Sequence, residues 1–302
     1  MKHTEIKVVP TANDNIVKFE AEYFLTQHSS HEFDTIDQAK NSPLAQQLFH
    51  LPFVKRVFIA QNFVAIDKYE VVDWIDVQQE VADQIKDYLN SGSIVIEETS
   101  NASKKVPVTI YAESTPNPSV LKFVANKKLV LKIYEFKNID ETKEAPLAKE
   151  LFSFPFVKEL FMDENYISIS KYDIAEWNDI TPELREFIRA YLEEGKAVVT
   201  ENATAAQEQT ATTKTVTDFE NLDDTSKEII DILEEYVKPA VAGDGGNIMF
   251  ESYDPQSKTV KVILQGACSG CPSSTITLKN GIETMLKEMM QGRVEIVEAV
   301  NG

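Results

Sequence analysis

The chain contains little cysteine, and this scarcity limits both its covalent crosslinking and its metal chemistry. Only two of its 302 residues are cysteines. Two cysteines cannot form the disulfide framework that holds together small extracellular domains. They are Cys268 and Cys271, separated by two residues, and no other thiol in the sequence competes with them as a soft ligand. We therefore expect the function to depend on this pair.

Positive charge and long apolar runs are also scarce. The 30 Lys and Arg residues face 49 Asp and Glu residues, which leaves a net charge of -19. Such a surface repels the phosphates of nucleic acids and anionic lipids. No apolar run approaches the roughly 18 residues of a membrane helix, and residues 1–10 show neither a signal-peptide nor a transit-peptide pattern. The sequence predicts a soluble, cytoplasmic chain with no nucleic-acid or membrane partner.

An internal repeat occupies the first two thirds of the chain. Residues 42–96 match residues 145–199 at an offset of 103, so that Trp74 corresponds to Trp177. Two copies of one domain are therefore predicted, because self-similarity at a fixed period indicates a repeated structural unit. Upstream the match continues one residue out of step: Thr11, Asn13, Lys18 and Phe19 correspond to Thr115, Asn117, Lys122 and Phe123.

Each copy is predicted to mix helix and strand. In the second copy Thr181 is expected to cap a helix, with Pro182 in its first turn and Gly195 just beyond its end. The matching helix of the first copy is expected to begin at Asp76 and end at Gly92. Alternating β-branched and apolar residues predict three strands in the second copy, at residues 120–124, 129–133 and 166–170.

The last part of the chain is predicted to be a third small domain. Residues 201–217 carry almost no large apolar side chain, so we expect a flexible tether that separates the repeats from the cysteines. A capping box of Thr225 and Glu228 then begins an amphipathic helix. The expected order is helix, strand, strand, cysteine loop, helix and strand. The predicted fold class is α+β, with boundaries at residues 1–98, 107–200, 201–217 and 218–302.

The cysteines lie in a loop between a predicted strand end and a predicted helix start. Unpaired backbone N–H groups and the positive end of the helix dipole favour a thiolate at such a place. Gly266 and Gly270 allow the backbone to come close to whatever the sulfurs hold, and Pro272 suits the first helical position. The loop is therefore expected to bind a ligand through sulfur.

Four interpretations of the cysteine pair remain open from the residues alone. Structural zinc needs four ligands, and all four histidines lie in the first repeat, so zinc would have to be held between chains. Thiol-disulfide exchange needs only two cysteines. An iron-sulfur cluster needs about four thiolates, which two chains together supply. Buried cysteines without any chemistry are the fourth possibility.

The residues carry a resemblance to a known family. The segments DGGNIMF and VILQGACSGCPSSTITLKNGIETMLKE resemble the C-terminal domain of the NifU family, the Nfu-type iron-sulfur cluster scaffold and carrier proteins, over residues 219–300. The two repeats resemble the Nfu N-terminal domain. Its T-P-N-P signature begins at Thr115 in the second repeat, whereas Ala12 and Asp14 replace the prolines in the first.

The resemblance implies a [4Fe-4S] cluster, or else a [2Fe-2S] cluster, held between two C-terminal domains by Cys268 and Cys271 from each chain. It also implies a homodimer that receives clusters from upstream assembly machinery and delivers them to apo iron-sulfur proteins. We expect the protein not to be an enzyme, since the sequence shows no catalytic triad, no phosphate-binding loop and no carboxylate dyad. The alternative function is a dithiol oxidoreductase, with Cys268 as the nucleophile and Cys271 as the resolving thiol.

Overall fold

The computed structural model describes residues 4–26, 30–97, 107–200, 222–269 and 272–301, without the side chains of residues 272–274. The chain forms two compact units, Met1–Pro107 and Val108–Gly302, and each is described by itself. Cys271, Gly270 and the predicted tether at residues 201–217 lie outside the described residues. None of the described helices is long and apolar enough to cross a membrane.

The first unit contains the first repeat, a five-stranded antiparallel sheet with its strands in the order β1-β2-β5-β4-β3. Phe19, Ile59 and Ile66 point to the same face and are fully buried under the helices. The elements are β1 (Ile6–Pro10), β2 (Ile16–Ala21), β3 (Ser30–Phe33), α1 (Pro43–Leu48), β4 (Val54–Ala60), β5 (Phe63–Lys68) and α2 (Trp74–Asn90).

The second repeat forms the same sheet within the second unit, in the order β6-β7-β10-β9-β8. Phe123, Leu160 and Ile167 form its core with the helices. The predicted duplication is therefore confirmed at the level of topology. The elements are β6 (Ile110–Ser114), β7 (Val120–Ala125), β8 (Tyr134–Phe136), α3 (Pro146–Leu151), β9 (Val157–Asp163), β10 (Tyr166–Lys171) and α4 (Trp177–Glu193).

The long helices begin earlier than the sequence predicted. The N-cap positions are Asp73 and Glu176, so Asp76 lies in the first turn of α2 and Thr181 lies inside α4. The Thr181 hydroxyl donates to the carbonyl of Trp177, 2.6 Å away, instead of capping the helix. Pro182 is the sixth residue of α4, where its missing N–H removes the hydrogen bond to the carbonyl four residues earlier.

The predicted strand at residues 129–133 does not form. Leu129 and Val130 are buried, but their backbone N–H groups both donate to the carbonyl of Glu164, at 2.6 and 3.0 Å. That carbonyl belongs to the turn between β9 and β10. The alternation of apolar residues therefore came from a buried connection, in which a turn supplies the hydrogen bonds that a strand ladder would otherwise make.

The C-terminal domain follows the predicted order of elements. Strands β11 and β12 form an antiparallel hairpin, and β13 pairs with β12 in parallel. The core contains the fully buried residues Ile229, Val262, Leu286 and Val297. Its elements are α5 (Asp224–Ile232), a π-helical turn (Leu233–Val237), α6 (Lys238–Gly243), β11 (Gly246–Asp254), β12 (Thr259–Gly266), α7 (Pro272–Met289) and β13 (Ile296–Asn301).

The cap of α5 is Asp223 rather than the predicted Thr225. The Asp223 carboxylate accepts from the Ser226 backbone N–H at 3.0 Å and from the Ser226 hydroxyl at 2.6 Å. Replacing Asp223 with alanine should lower the local stability of α5 by about 1 kcal/mol, since it removes this cap. Thr225→Ala is the matched control and should change it by less than about 0.5 kcal/mol. Amide hydrogen exchange of α5 measures both, and equal effects would contradict the assignment.

Candidate functional site

The cysteine loop, residues 266–274, leaves β12 through a tight turn. Gly266 has a φ of +62°, a conformation that favours glycine. Its carbonyl accepts from both the backbone N–H and the hydroxyl of Ser269, at 3.1 and 2.9 Å. These bonds fix the backbone on either side of Cys268. Of the two predicted ligands, the structure therefore places Cys268, while Cys271 stays a prediction.

Two glycines from the start of β11 make room for the turn. A Cβ on Gly246 would lie 2.8 Å from the Cys268 sulfur and 2.6 Å from the carbonyl oxygen of Gln265. Gly245 has a φ of +83°, and its carbonyl accepts from the Ala267 N–H at 3.2 Å. The Asp-Gly-Gly sequence is thus a turn, and it supports the cysteine loop by letting backbone and sulfur come close together.

The environment of Cys268 favours the thiol and not the expected thiolate. Its side chain is 7% exposed and packs with the domain core. Burial, assisted by the negative charge of Asp244, raises the pKa of Cys268 to about 12. This environment does not match the thiolate expected from the helix start, because burial and the charge of Asp244 both disfavour the charged form. A metal bound at this sulfur would displace its proton.

The second repeat lies directly against the cysteine loop. Along its strands, alternate side chains point away from the repeat core, and outward side chains of β7, β8, β9 and β10 contact the C-terminal domain. The sequence predicted a tether that separates the repeats from the cysteines, but within the second unit the described residues of the two domains touch. The outward residues form what we call the docking face: Lys122, Val124, Glu135, Phe161, Tyr166 and Ser168.

Two hydroxyl groups of β10 bind the glycines of β11. The Ser168 hydroxyl donates to the carbonyl of Gly245 at 2.6 Å. The Tyr166 hydroxyl shares its one proton between the carbonyl of Gly246, at 3.3 Å, and the Asp163 carboxylate, at 3.4 Å. Burial, reinforced by the charge of Asp163, raises the pKa of the Tyr166 phenol, which therefore remains a hydrogen-bond donor. The docking face thus holds the same glycines that support Cys268.

The T-P-N-P segment contributes a further donor. The Asn117 side-chain oxygen accepts from the Ser119 N–H at 3.1 Å, which turns its amide nitrogen toward the loop. That nitrogen lies 3.3 Å from the carbonyls of both Ala267 and Ser269, the two neighbours of Cys268. The first repeat forms the same turn without the prolines, since Asn13 accepts from the Asn15 N–H at 3.0 Å. Asn13 is exposed, however, whereas Asn117 is buried.

Two charged residues complete the contact. The Lys122 ammonium donates to the carbonyls of Ala242 and Gly243, at 3.1 and 3.0 Å, at the C-terminal end of α6, where the helix dipole favours a positive charge. The Glu135 carboxylate accepts from the Gly266 N–H at 3.0 Å and from the Gln265 side chain at 3.2 Å. Both ends of the glycine-built site are therefore held by side chains of the second repeat.

Sequence reasoning missed this contact. The pattern of β10 alternates apolar and polar residues, which indicates one buried face and one solvated face. In the structure both faces of β10 are covered, and Ser168 is only 2% exposed. The T-P-N-P signature gave an indication of this contact. It includes an asparagine and is followed by a lysine, and the predicted core of the repeat required neither.

Within the described residues, no group of three or more His, Cys, Asp and Glu side chains is placed to hold a metal ion. Cys271 lies outside those residues.

The fold and the site define a modular α+β protein in which a small C-terminal domain presents a two-cysteine loop. Residues 6–92 and 110–195 match the family described as "Scaffold protein Nfu/NifU N terminal", and residues 229–297 match the "NifU-like domain". The chain belongs to the Nfu/NifU family of iron-sulfur cluster scaffold proteins. The resemblance seen in the sequence is thus confirmed, as is the arrangement of two N-terminal domains before one C-terminal domain.

Curated relatives agree with this assignment. The chain is 36% identical over 178 residues to "NifU-like protein 4, mitochondrial" of Arabidopsis thaliana, covering 59% of this chain and 61% of the relative. It is 36% identical over 193 residues to "NFU1 iron-sulfur cluster scaffold homolog, mitochondrial" of Drosophila willistoni, covering 63% of each. The chain thus spans about three fifths of the length of these relatives.

One solved structure aligns with a smaller part of the chain. It is the solution NMR structure of a NifU-like protein from Saccharomyces cerevisiae, with 27% sequence identity and a TM-score of 0.31. The alignment covers 34% of this chain and 94% of the yeast one.

The predicted cytoplasmic location is contradicted by the relatives. Both the Arabidopsis and the Drosophila protein are named as mitochondrial. The prediction rested on the lack of a leader pattern in residues 1–10. A missing pattern of that kind does not fix a compartment, so the prediction is withdrawn.

Proposed function

We propose that the chain carries an iron-sulfur cluster, a [4Fe-4S] cluster in its principal form, between the C-terminal domains of two copies. Cys268 and Cys271 of each copy supply the four thiolates. The observation that carries the proposal is a single cysteine pair on a loop built by close-packed glycines. Membership in a family of cluster scaffolds supports it.

The cluster is cargo in this proposal. Each subunit contributes only two bonds to it, so a client protein that offers three or four cysteines on one chain gains the advantage of a preformed chelate. Ligand exchange then runs toward the client, one thiolate at a time. Each Cys268 sulfur takes up a proton as it leaves the iron, because its buried environment favours the thiol.

A dithiol oxidoreductase is the weaker alternative. Its nucleophile must be a thiolate that is accessible to an incoming disulfide. Cys268 is buried, and burial raises its pKa, so it is poorly suited to that attack. A cluster is compatible with the same environment, since binding to iron removes the proton from the sulfur.

Anaerobic incubation of the full chain with ferrous iron, sulfide and a thiol reductant tests the proposal. We expect a brown protein with broad visible absorbance and with iron and sulfide in equal amounts. A colourless protein with a titratable disulfide would favour the oxidoreductase instead. Zinc without sulfide, found by elemental analysis of the purified protein, would replace the cluster with a structural metal.

A further inference from the structure

We propose that the docking face of the second repeat and the C-terminal domain of a second chain are alternative partners for one cysteine loop. In the chain without a cluster, the second repeat binds the cysteine loop. The second repeat dissociates from the loop when the loops of two chains bind a cluster between them. The inference rests on the proposed function for its second state, a cluster held between chains. The first state is the contact seen in the structure.

The second repeat takes up the polar groups of the loop and of its supporting turn. Side chains of the repeat occupy the carbonyls of Gly245, Gly246, Ala267 and Ser269 and the N–H of Gly266. A second chain that shares a cluster with Cys268 must come within bonding reach of the same loop. The second repeat already bonds both neighbours of Cys268, at the carbonyls of Ala267 and Ser269, so the two arrangements exclude one another.

The contact is also too close to admit another surface. A Cβ on Gly245 would lie 2.7 Å from the Ser168 hydroxyl oxygen, and a Cβ on Gly266 would lie 2.8 Å from Cγ of Phe161. These distances are shorter than van der Waals separation. A second chain therefore cannot insert between the docking face and the glycines while the repeat remains in place.

The first repeat supplies a natural comparison, because its corresponding face lacks the two hydroxyl donors of β10. Phe63 stands where Tyr166 does and Ala65 where Ser168 does, so neither hydroxyl is present. Glu20 replaces Val124, and Glu32, which corresponds to Glu135, pairs with Arg56 at 3.0 Å. The first repeat keeps Asn13 and Lys18, which correspond to Asn117 and Lys122, so the two hydroxyls are the donors that distinguish the second repeat.

The covalent connection within one chain favours the contact between the second repeat and the cysteine loop. The second repeat and the cysteine loop belong to one chain, so their contact needs no encounter in solution. A second chain must be met from solution. The bonds from four thiolates to iron allow the second chain to displace the second repeat from the loop. Pairing of the chains is therefore coupled to binding of the cluster.

The test measures alkylation of Cys268 by iodoacetamide at one pH in the full apo chain, with Cys271→Ala so that Cys268 is the only thiol. The double variant Tyr166→Phe, Ser168→Ala gives the second repeat the residues of the first. We expect alkylation to be roughly 5- to 30-fold faster, since two hydrogen bonds of about 1 kcal/mol each are lost. Ser170→Ala, two residues further along the same strand, is the matched control and should leave the rate unchanged.

A second measurement separates release of the loop from unfolding of the repeat. The Gly266 N–H donates a hydrogen bond to Glu135, and its hydrogen exchange should accelerate in the double variant. The N–H groups of Ile167 and Ile169, inside the sheet, should keep their protection. Alkylation equal to that of the parent chain would overturn the proposal, as would equal acceleration at all three amides. If alkylation responds but no cluster forms in the wild-type chain, the docking contact stands and the proposed function fails.

Discussion

Chains with Cys268→Ala are expected to retain about a tenth or less of the iron and sulfide that the wild-type chain retains after anaerobic loading and desalting. The change removes one thiolate from each copy, and a dimer then offers two donors where a cluster needs about four. Cys271→Ala should have the same effect if its sulfur is the second ligand. Iron and sulfide analysis of the desalted protein measures the loss.

A control variant identifies the loss as specific to the ligands. Ser257 lies in the turn between β11 and β12, at the end of the hairpin away from the cysteine loop, where its hydroxyl bonds to Asp254 at 2.7 Å. Ser257→Ala should load like the wild type. Cluster retention in the Cys268 variant at the wild-type level would remove this cysteine from the site.

Gly246→Ala is expected to lower the stability of the β11 and β12 hairpin by about 1–3 kcal/mol, the usual cost of forcing extra volume into a packed site. Its Cβ would fall 2.6 Å from the Gln265 carbonyl and 2.8 Å from the Cys268 sulfur, so backbone or sulfur must move. The same displacement should weaken cluster loading. Amide hydrogen exchange of β12 gives the free energy of local opening without requiring the whole chain to unfold in one step.

The matched control is Gly281→Ala in α7. A Cβ on Gly281 meets nothing within 4 Å, so alanine there should stabilise the helix by about 0.5–1 kcal/mol. Opposite effects from the same chemical change show that the site at Gly246, and not glycine replacement in general, is responsible. A β12 opening free energy in Gly246→Ala equal to that of the wild type would contradict the close packing at Cys268.

The repeats and the order of the C-terminal elements were predictable from the sequence, because apolar periodicity reports which side chains face a core. Helix starts were less predictable. Both Asp223 and Thr225 are good capping residues, and only the structure shows that Asp223 receives the Ser226 N–H. The buried connection at Leu129 and Val130 was predicted as a strand for a related reason. A buried segment without strand hydrogen bonds has the same pattern of apolar residues as a strand.

At the site, spacing revealed the cysteine pair but not its surroundings. The thiolate expectation failed because a sequence shows the nearby helix start, while desolvation depends on what covers Cys268 in three dimensions. The docking face could not be predicted from the sequence for the same reason. Ser168 and Lys122 are polar residues typical of a solvated face, and their burial results from contact with carbonyls far along the chain.

Sedimentation of the loaded protein over a range of concentrations tests the central proposal most directly, when combined with iron and protein analysis of the same fractions. We predict that all cluster absorbance travels with a species of two chains, that one cluster is present per two chains, and that dilution releases iron and single chains together. Cluster absorbance travelling with a single 34.0 kDa chain, at every concentration, would contradict the shared site.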